Sequence, residues 1–345
     1  MQEEFEDIEN EENEEELFEH YRFKVDPGQE ILRIDKFLLD RLPNTSRNKI
    51  QFAAKNGNVR VNNETVKPNY RVKPADEITI VMPYPVREIE LIPENIPIEI
   101  VYEDDQLAIV NKPSNMVVHP GYGNYTGTLV NAMVYHFDNL PSRIEDYFGR
   151  PGLVHRLDKN TTGIMVIAKT EYALSNLAKQ FADRTTERRY HALVWGDIEN
   201  DGTVTGNIGR SLKNRKVMTV FPDGDYGKHA VTHYKVIERF GLVTLIECKL
   251  ETGRTHQIRA HLKHIGHPLF NDNEYGGDKI VRGTTHTKYK QFIDNCFSLI
   301  PGQALHAKTL GFIHPKTKKD MVFDSNLVEG FDKILQKWRI YTKEK

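Results

Sequence analysis

Cysteine is scarce in this chain of 345 residues, and several familiar sequence features are missing altogether. Cys248 and Cys296 are the only cysteines, which excludes a disulfide scaffold and a multi-cysteine zinc site. No apolar run approaches the roughly 18 residues that a transmembrane helix needs. The N-terminus lacks the basic start and apolar stretch of a signal peptide. These absences favour a protein of the cytoplasm, in a reducing compartment and away from the membrane.

Positive charge is absent from residues 1–20, which hold eleven of the 49 Asp and Glu residues. The other residues therefore set 47 Lys and Arg against 38 acidic residues, an excess of nine positive charges. A body of this sign suits a polyanionic partner. The acidic tail has too few apolar residues to offset the entropy of ordering, and we expect it to be disordered. A solubilising role is the simpler interpretation, and mimicry of RNA is the alternative.

Residues 21–82 are expected to form a small separate domain. The segment ILRIDKFLLDRL has apolar residues at helical spacing, and a second helix is predicted from Thr45 or Ser46 to Gly57. Short β-type segments follow between turn residues. Basic residues lie on or beside the two helices: Arg33, Lys36, Arg47, Lys49 and Lys55.

This segment, from RIDKFLLDRL through GNVRVNNETV to RVKPADEI, resembles an S4 domain, an RNA-binding module. The resemblance implies that the two helices present their five basic residues to the RNA backbone, where they neutralise phosphates. Judged on the residues alone, a solvated basic surface on a small α+β domain is the alternative.

A linker and a larger domain are predicted to follow. Four prolines in residues 83–97 indicate a semi-rigid linker. In residues 98–345, short β-type segments outnumber the helices without regular alternation, which indicates an α+β domain with a largely antiparallel sheet. One helix is predicted over residues 171–184, where an apolar face is formed by Ala173, Leu174, Leu177 and Phe181.

The segment GLVHRLDKNTTG, residues 152–163, has the features of a catalytic loop. It precedes an apolar strand predicted from Ile164 to Ala168, so Asp158 lies on a loop beside a rigid element. Arg156 and Lys159 flank this carboxylate and should keep it ionised. On this segment alone, a plain ion pair explains Asp158 as well as catalysis does.

Five segments together resemble the RluA-like family of RNA pseudouridine synthases. They are VNKPSNMVVHPG (110–121), GLVHRLDKNTTG (152–163), RRYHALVWG (188–196), ETGRTHQIRAHLKHIGHPLFNDNEYG (251–276) and LHAKTLGFIHP (305–315). Asn115 stands where glycine is usual in the family, and Thr162 where serine is commoner. The resemblance implies a mixed, mainly antiparallel sheet flanked by helices. With the S4 domain, it is most similar to the D-type branch, which acts on large-subunit ribosomal RNA.

The resemblance also assigns roles to single residues. Asp158 would be the nucleophile, attacking either the ribose anomeric carbon or the uracil ring. Tyr190 would stack on the flipped uracil and could help to remove the C5 proton, and Arg259 would pair with Asp158. Arg156 would fill the gap left by the extruded nucleotide, and His155 would contact the base or belong to the scaffold. The alternatives are a core aromatic for Tyr190, a structural ion pair for Arg259 and a surface phosphate contact for Arg156.

The implied reaction is a redox-neutral isomerisation, so we expect no cofactor and no metal. His229 and His233 share a strand face, but no third ligand accompanies them. We expect a monomer whose partner is large-subunit ribosomal RNA, with transfer RNA as the alternative substrate. Two rival classes are a non-catalytic RNA-binding protein of ribosome assembly and a hydrolase that cleaves the glycosidic bond. Only the hydrolase would release free uracil.

Overall fold

The computed structural model describes residues 17–42, 47–82, 91–121, 123–142, 150–214 and 216–343, without the side chain of Lys49. These residues form two compact units, one ending at residue 82 and one beginning at residue 91. Most of the predicted linker, residues 83–90, lies outside the described residues, and residues 91–98 have no regular secondary structure.

The described residues of the smaller unit form two helices and six short strands. In chain order they are β1 (Phe18–Lys24), β2 (Leu32–Arg33), α1 (Ile34–Leu39), α2 (Arg47–Lys55), β3 (Val59–Val61), β4 (Glu64–Thr65), β5 (Arg71–Val72) and β6 (Glu77–Met82). Four strands form one sheet in the order β1-β6-β3-β4, and β2 pairs with β5. The core joins both helices to the sheet through apolar side chains that include Phe37, Ile50 and Ile78.

Local sequence signals account for the two helices of the smaller unit. Ile34, Phe37 and Leu38 are buried along one face of α1, as their spacing predicts. Helix α2 ends at Lys55, and Gly57 follows with a φ of +74°, a conformation that glycine adopts without strain. The predicted caps Thr45 and Ser46 lie outside the described residues.

The N-terminal boundary of the smaller unit differs from the sequence-based expectation. Strand β1 begins at Phe18 and pairs with β6 in antiparallel register from Phe18 opposite Met82 to Lys24 opposite Glu77. Residues 18–20, predicted as the end of the acidic tail, therefore belong to the sheet. Alternating half-buried and exposed positions along β1 explain the pairing, since one face of the strand covers the core. Residues 1–16 lie outside the described residues.

The larger unit contains ten strands and five helices among its described residues. They are β7 (Glu99–Glu103), β8 (Leu107–Lys112), α3 (Leu129–His136), β9 (Thr162–Ala168), α4 (Glu171–Ala182), β10 (Glu187–Trp195), β11 (Gly202–Arg210), β12 (Met218–Phe221), β13 (Lys228–Arg239), β14 (Val243–Leu250), α5 (Gln257–His264), α6 (Thr287–Phe297), β15 (Leu305–Ile313), β16 (Asp320–Asp324) and α7 (Glu329–Lys343).

One mixed sheet organises the larger unit. Its strands lie in the order β12-β11-β13-β14-β10-β15-β9-β8-β7, and β16 pairs with β15. The pairing of β9 with β15 is parallel, whereas the other pairings are antiparallel, which confirms the predicted α+β fold with a mainly antiparallel sheet. Helix α4 packs against the sheet through Ala173, Leu174 and Leu177, the face predicted from the sequence.

Candidate active site

An open cavity of about 360 Å³ lies in the larger unit, within the size range of small-ligand sites. It is bounded by the loop around Asp158, the end of α4, strand β10, and the segment that leads into α5. Asp158, Tyr190 and Arg259 all line it. The three catalytic residues expected from the sequence therefore meet in one cavity, although the chain separates them widely.

Lys112, at the end of β8, stabilises the loop that carries Asp158. The Lys112 side chain is fully buried, and its Nζ donates to the backbone oxygens of Pro113, Met116 and Lys159 at 2.7, 2.8 and 3.0 Å. Burial lowers the pKa of Lys112 to about 7, although the charge of Asp158 opposes the shift. Lys112 was not recognised from the sequence. The available signal was a lysine at the end of the apolar run LAIVNK.

Arg259 reaches Asp158 from helix α5. Its Nη1 donates to Asp158 Oδ2 at 3.3 Å, while the same guanidinium binds Asp272 at 2.7 and 2.8 Å and Glu274 at 2.6 Å. Burial alone would lower the pKa of Arg259, but the hydrogen bonds and charge of Asp272, with the charges of Asp158 and Glu274, raise it overall. The guanidinium therefore stays charged beside the Asp158 carboxylate. Asp272 was not recognised from the sequence.

His256 faces the other oxygen of Asp158. Its Nε2 lies 3.8 Å from Asp158 Oδ1, and its Nδ1 lies 3.1 Å from the hydroxyl of Tyr275. His256 has a φ of +53° immediately before α5, and this left-handed conformation directs the chain into the helix. Burial lowers the pKa of His256, with the charge of Asp158 opposing the shift, which favours the neutral ring. His256 was not recognised from the sequence.

Tyr190 lies on β10, where the register with β15 shifts between Arg189 and Tyr190. Its ring is half-buried and packs against apolar clusters that include Leu157 and Leu262. Burial raises the pKa of Tyr190, the charge of Arg188 counteracts this, and the charge of Asp158 adds to it. A tyrosine with a raised pKa is a neutral phenol at neutral pH, suited to stacking and hydrogen bonding.

The neighbours of Asp158 in the loop differ in their surroundings. Arg156 is exposed, lines the cavity, and forms no hydrogen bond or ion pair with any residue that the structure describes. The His155 ring stacks on Phe181 at a centroid distance of 4.6 Å, and its Nε2 accepts the backbone N–H of Val166 at 3.1 Å. Burial lowers the pKa of His155 to about 3, so the ring is neutral. Of the two roles left open for His155, these contacts support the scaffold.

The basic residues of the smaller unit surround a buried carboxylate. Asp35 is fully buried and accepts hydrogen bonds from Arg33, Arg47 and Gln51. Burial opposes ionisation of Asp35, but these three bonds outweigh it and lower its pKa. Arg33 and Arg47 therefore share their charge with Asp35, which sequence reasoning overlooked.

Other basic residues of the smaller unit are accessible to a ligand. Lys36 and Lys55 are exposed, whereas the side chain of Lys49 lies outside the described residues. Arg33, Lys55 and Lys67 line a shallow basic concavity. This surface suits phosphate groups, because lysine binds phosphate as a point charge and arginine binds it through a planar fork of donors.

Two further properties concern the described residues as a whole. They contain no group of three or more His, Cys, Asp or Glu side chains that could hold a metal ion. None of their helices combines the length and the apolar character needed to cross a bilayer.

Comparisons with known proteins show which families the two units resemble. Residues 106–264 match the family described as RNA pseudouridylate synthase, and residues 32–78 match the S4 domain. An uncharacterized RNA pseudouridine synthase of Chlorobaculum parvum is 47% identical, over 91% of this chain and 96% of that protein. The ribosomal large subunit pseudouridine synthase D of Zymomonas mobilis is 42% identical, over 88% of this chain and 93% of that protein. The solved structure of human RNA pseudouridylate synthase domain containing 4 has a TM-score of 0.53 and 25% identity, covering 70% of this chain and 93% of that one.

Proposed function

Because this chain belongs to the RNA pseudouridylate synthase family, we propose that it converts uridine into pseudouridine in large-subunit ribosomal RNA. The resemblance found in its sequence, to this family and to the S4 domain, is confirmed. The enzyme is thus an isomerase that binds RNA. One observation carries the catalytic part of the proposal: the carboxylate of Asp158 lies in the cavity with Arg259 Nη1 at 3.3 Å.

The proposed chemistry exchanges one glycosidic bond for another. The bond from N1 of uracil to the ribose C1′ breaks, the base turns, and C5 forms a new bond to C1′ while its proton leaves. N1 gains a proton, so the atoms balance without an external reactant. Asp158 acts as the nucleophile, at C1′ or at the uracil ring, because a covalent intermediate divides one difficult step into two easier ones.

Other residues of the cavity support this role of Asp158. Arg259 orients the carboxylate of Asp158 through a charge-assisted hydrogen bond. Tyr190, as a neutral phenol, stacks on the uracil. The neutral phenol of Tyr190 can accept the C5 proton only after its own hydroxyl proton has been transferred to another group. Arg156, exposed at the rim, occupies the space that the flipped nucleotide leaves in the RNA.

The proposed substrate follows from the relatives and from the smaller unit. Proteins named ribosomal large subunit pseudouridine synthase D resemble this chain over about nine-tenths of its length. The basic residues Arg33, Lys36, Arg47, Lys49 and Lys55 would hold the RNA backbone and fix its register. Transfer RNA is the second candidate substrate, because RNA shape rather than the reacting base determines the target.

We further propose that the enzyme acts as a monomer in the cytoplasm. Both cysteines are free and buried, which suits a reducing compartment where ribosomal RNA is modified.

Tritium release from RNA labelled at uridine C5 tests the function directly, because forming the new bond expels that hydrogen. We expect release from large-subunit ribosomal RNA and none with the Asp158→Asn variant, whose RNA affinity should stay close to that of the unmodified enzyme. Transfer RNA is assayed separately. Release from transfer RNA alone would overturn the substrate, and free uracil would indicate a hydrolase. Tight binding without release from either RNA would favour a non-catalytic binding protein.

A further inference from the structure

Arg188 is a buried cation whose charge is not matched by any residue that the structure describes. It lies on β10, two residues before Tyr190, and only 8% of the residue is exposed. Its Nε is buried without a hydrogen-bond partner, and no described carboxylate forms an ion pair with it. Burying an unpaired charge is strongly unfavourable, so a site of this kind indicates a missing anion.

The immediate surroundings of Arg188 leave its charge uncompensated. The Cζ atom lies 5.7 Å from the centre of the Phe181 ring, which is itself stacked on His155. A side chain at Gly253 would place its Cβ 2.9 Å from Arg188 Nη1, so glycine leaves room for the guanidinium. Burial lowers the pKa of Arg188, with Tyr190 opposing the shift. The Phe181 ring and the chain at Gly253 therefore flank a charged group that lines the cavity.

The other arginines of the cavity are satisfied in other ways. Five arginines line it: Arg156, Arg184, Arg188, Arg254 and Arg259. Arg259 binds three carboxylates, and Arg254 Nε donates to the backbone oxygen of His229 at 3.1 Å. Arg156 and Arg184 are exposed, so water can solvate them. Arg188 differs from the other four because it is both buried and unpaired among the described residues.

Among the described residues, the cavity offers Arg188 no free anion. Asp158 is the one carboxylate among the described lining residues, and Asp158 is paired with Arg259. An anionic ligand in the cavity would supply the compensating charge. An RNA strand brings one phosphate on each side of every nucleotide, and a guanidinium matches the geometry of phosphate oxygens.

We propose that Arg188 binds a phosphodiester adjacent to the uridine whose base lies beside Asp158. This inference rests on the proposed function, because it assumes that uridine occupies the cavity. Arg188 would thereby fix the ribose relative to the carboxylate, in addition to any contacts that the smaller unit makes with RNA. The competing role for Arg188 is electrostatic support of the Tyr190 hydroxyl, two residues further along the same strand.

Binding of a single-stranded pentaribonucleotide with one central uridine tests the phosphate site. No base needs to leave a helix in this probe, and no turnover is required. Three probes are compared with the full-length chain by fluorescence anisotropy at one salt concentration: the native strand, and strands with a neutral methylphosphonate on the 5′ or 3′ side of the uridine. We expect one of the two neutral linkages to weaken binding to the unmodified chain roughly 10- to 100-fold, as loss of a charge-assisted hydrogen bond implies.

The Arg188→Met variant completes the comparison, because methionine keeps an apolar stem beside Phe181 without the charge. We expect this variant to bind the native strand as weakly as the unmodified chain binds the neutral one, and to respond less than about twofold to the same linkage. The matched control is Arg184→Met, which removes an exposed charge at the same cavity and should keep the full discrimination. The proposal would be wrong if Arg188→Met and the unmodified chain discriminated equally between the native and the neutral strands. It would also be wrong if the unmodified chain bound all three strands with the same affinity.

Two further measurements separate the remaining explanations. Thermal unfolding of Arg188→Met should occur at the same or a higher temperature, since the variant removes a buried unpaired charge; a clear fall would indicate a structural role instead. If the variant keeps its discrimination but loses turnover to the same extent as Tyr190→Phe, Arg188 acts on Tyr190 and the proposal is wrong. If the chain discriminates between the linkages but releases no tritium, the synthase function is wrong and the phosphate site is supported. If it releases tritium but does not discriminate between the linkages, the synthase function is supported and the phosphate site is wrong.

Discussion

Arg259 lies closer to Asp272 than to Asp158. Its Nε and Nη2 donate to the two Asp272 oxygens at 2.7 and 2.8 Å, whereas its Nη1 reaches Asp158 Oδ2 at 3.3 Å. Asp272 is fully buried and also accepts the backbone N–H groups of Glu274 and Tyr275 at 3.2 Å. Two parallel hydrogen bonds fix the plane of a guanidinium. Asp272 therefore determines where Arg259 places Nη1 beside the candidate nucleophile.

The substitution Asp272→Asn should lower both stability and turnover. An amide cannot accept both hydrogen bonds in the same geometry, so we expect the free energy of unfolding to fall by about 2 kcal/mol. We expect kcat to fall at least tenfold, while RNA affinity changes little. Urea denaturation and tritium release measure the two effects. The control is Glu274→Gln at a half-exposed partner of Arg259, which should cost less than about 1 kcal/mol. Full activity in Asp272→Asn would refute the positioning role.

His256 should orient Asp158 through the proton on Nε2. The Tyr275 hydroxyl accepts the backbone N–H of Met218 at 2.9 Å, which leaves its own proton for His256 Nδ1 at 3.1 Å. The neutral ring then carries its proton on Nε2, 3.8 Å from Asp158. We expect His256→Leu to reduce kcat about tenfold with an unchanged KM, and His256→Gln, which restores a donor, to recover part of it. Equal loss in both variants would contradict this role.

Lys112 should make stability depend on pH. Its pKa in the folded chain is about 7, below the ordinary lysine value of about 10.4, so between these values the unfolded chain holds a proton that the folded chain has lost. The free energy of unfolding therefore rises with pH in this range. Relative to Lys112→Met, which does not titrate, we expect the stability of the unmodified chain to increase by roughly 2 kcal/mol from pH 7 to pH 9. Urea denaturation at several pH values measures this, and a pH-independent difference between the two proteins would show that Lys112 keeps an ordinary pKa.

The basic concavity of the smaller unit should contribute to the salt dependence of RNA binding. Lys55 and Lys67 line it. If each contacts one phosphate, the double substitution Lys55→Gln/Lys67→Gln should reduce the slope of log affinity against log salt by about 1.4–1.8. Filter binding to large-subunit ribosomal RNA at four salt concentrations gives the slope. Lys24→Gln, at an exposed position of the same unit outside the concavity, is the control and should leave it unchanged. An unaltered slope in the double variant would show that Lys55 and Lys67 do not contact phosphates of the RNA.

Local patterns were sufficient to predict several elements of the fold. The apolar residues Ala173, Leu174 and Leu177 recur at helical spacing, and they are the buried face of α4. The run Ile164 to Ala168 lies within β9, which is buried along its whole length. Such predictions succeed because helix and strand periodicity depends on residues that are neighbours in the sequence. Strand β1 was missed because an acidic stretch immediately precedes it and its alternating pattern is weak.

The supporting residues of the cavity could not be predicted in the same way. Asp272 lies thirteen residues after Arg259, in a region without periodicity, and Asp35 resembles any surface aspartate in a basic segment. Lys112 and Arg188 resemble solvated cations in the sequence, yet both are buried. Burial depends on which strands become neighbours in the sheet. A charged residue gives no sequence signal of burial when its partners come from distant segments.

The sequence by itself determined the family and the order of the two units, and its short motifs carry Asp158, Tyr190 and Arg259, the residues proposed to react. Only the tertiary structure decided how those groups are held. The parallel pairing of β9 with β15 and the antiparallel pairing of β10 with β14 and β15 bring the Asp158 loop, Tyr190 and α5 to one cavity. The physical reason is that Coulomb interactions and desolvation act over a few ångströms in space. The charge state of a side chain therefore depends on its spatial neighbours, which a linear motif does not contain.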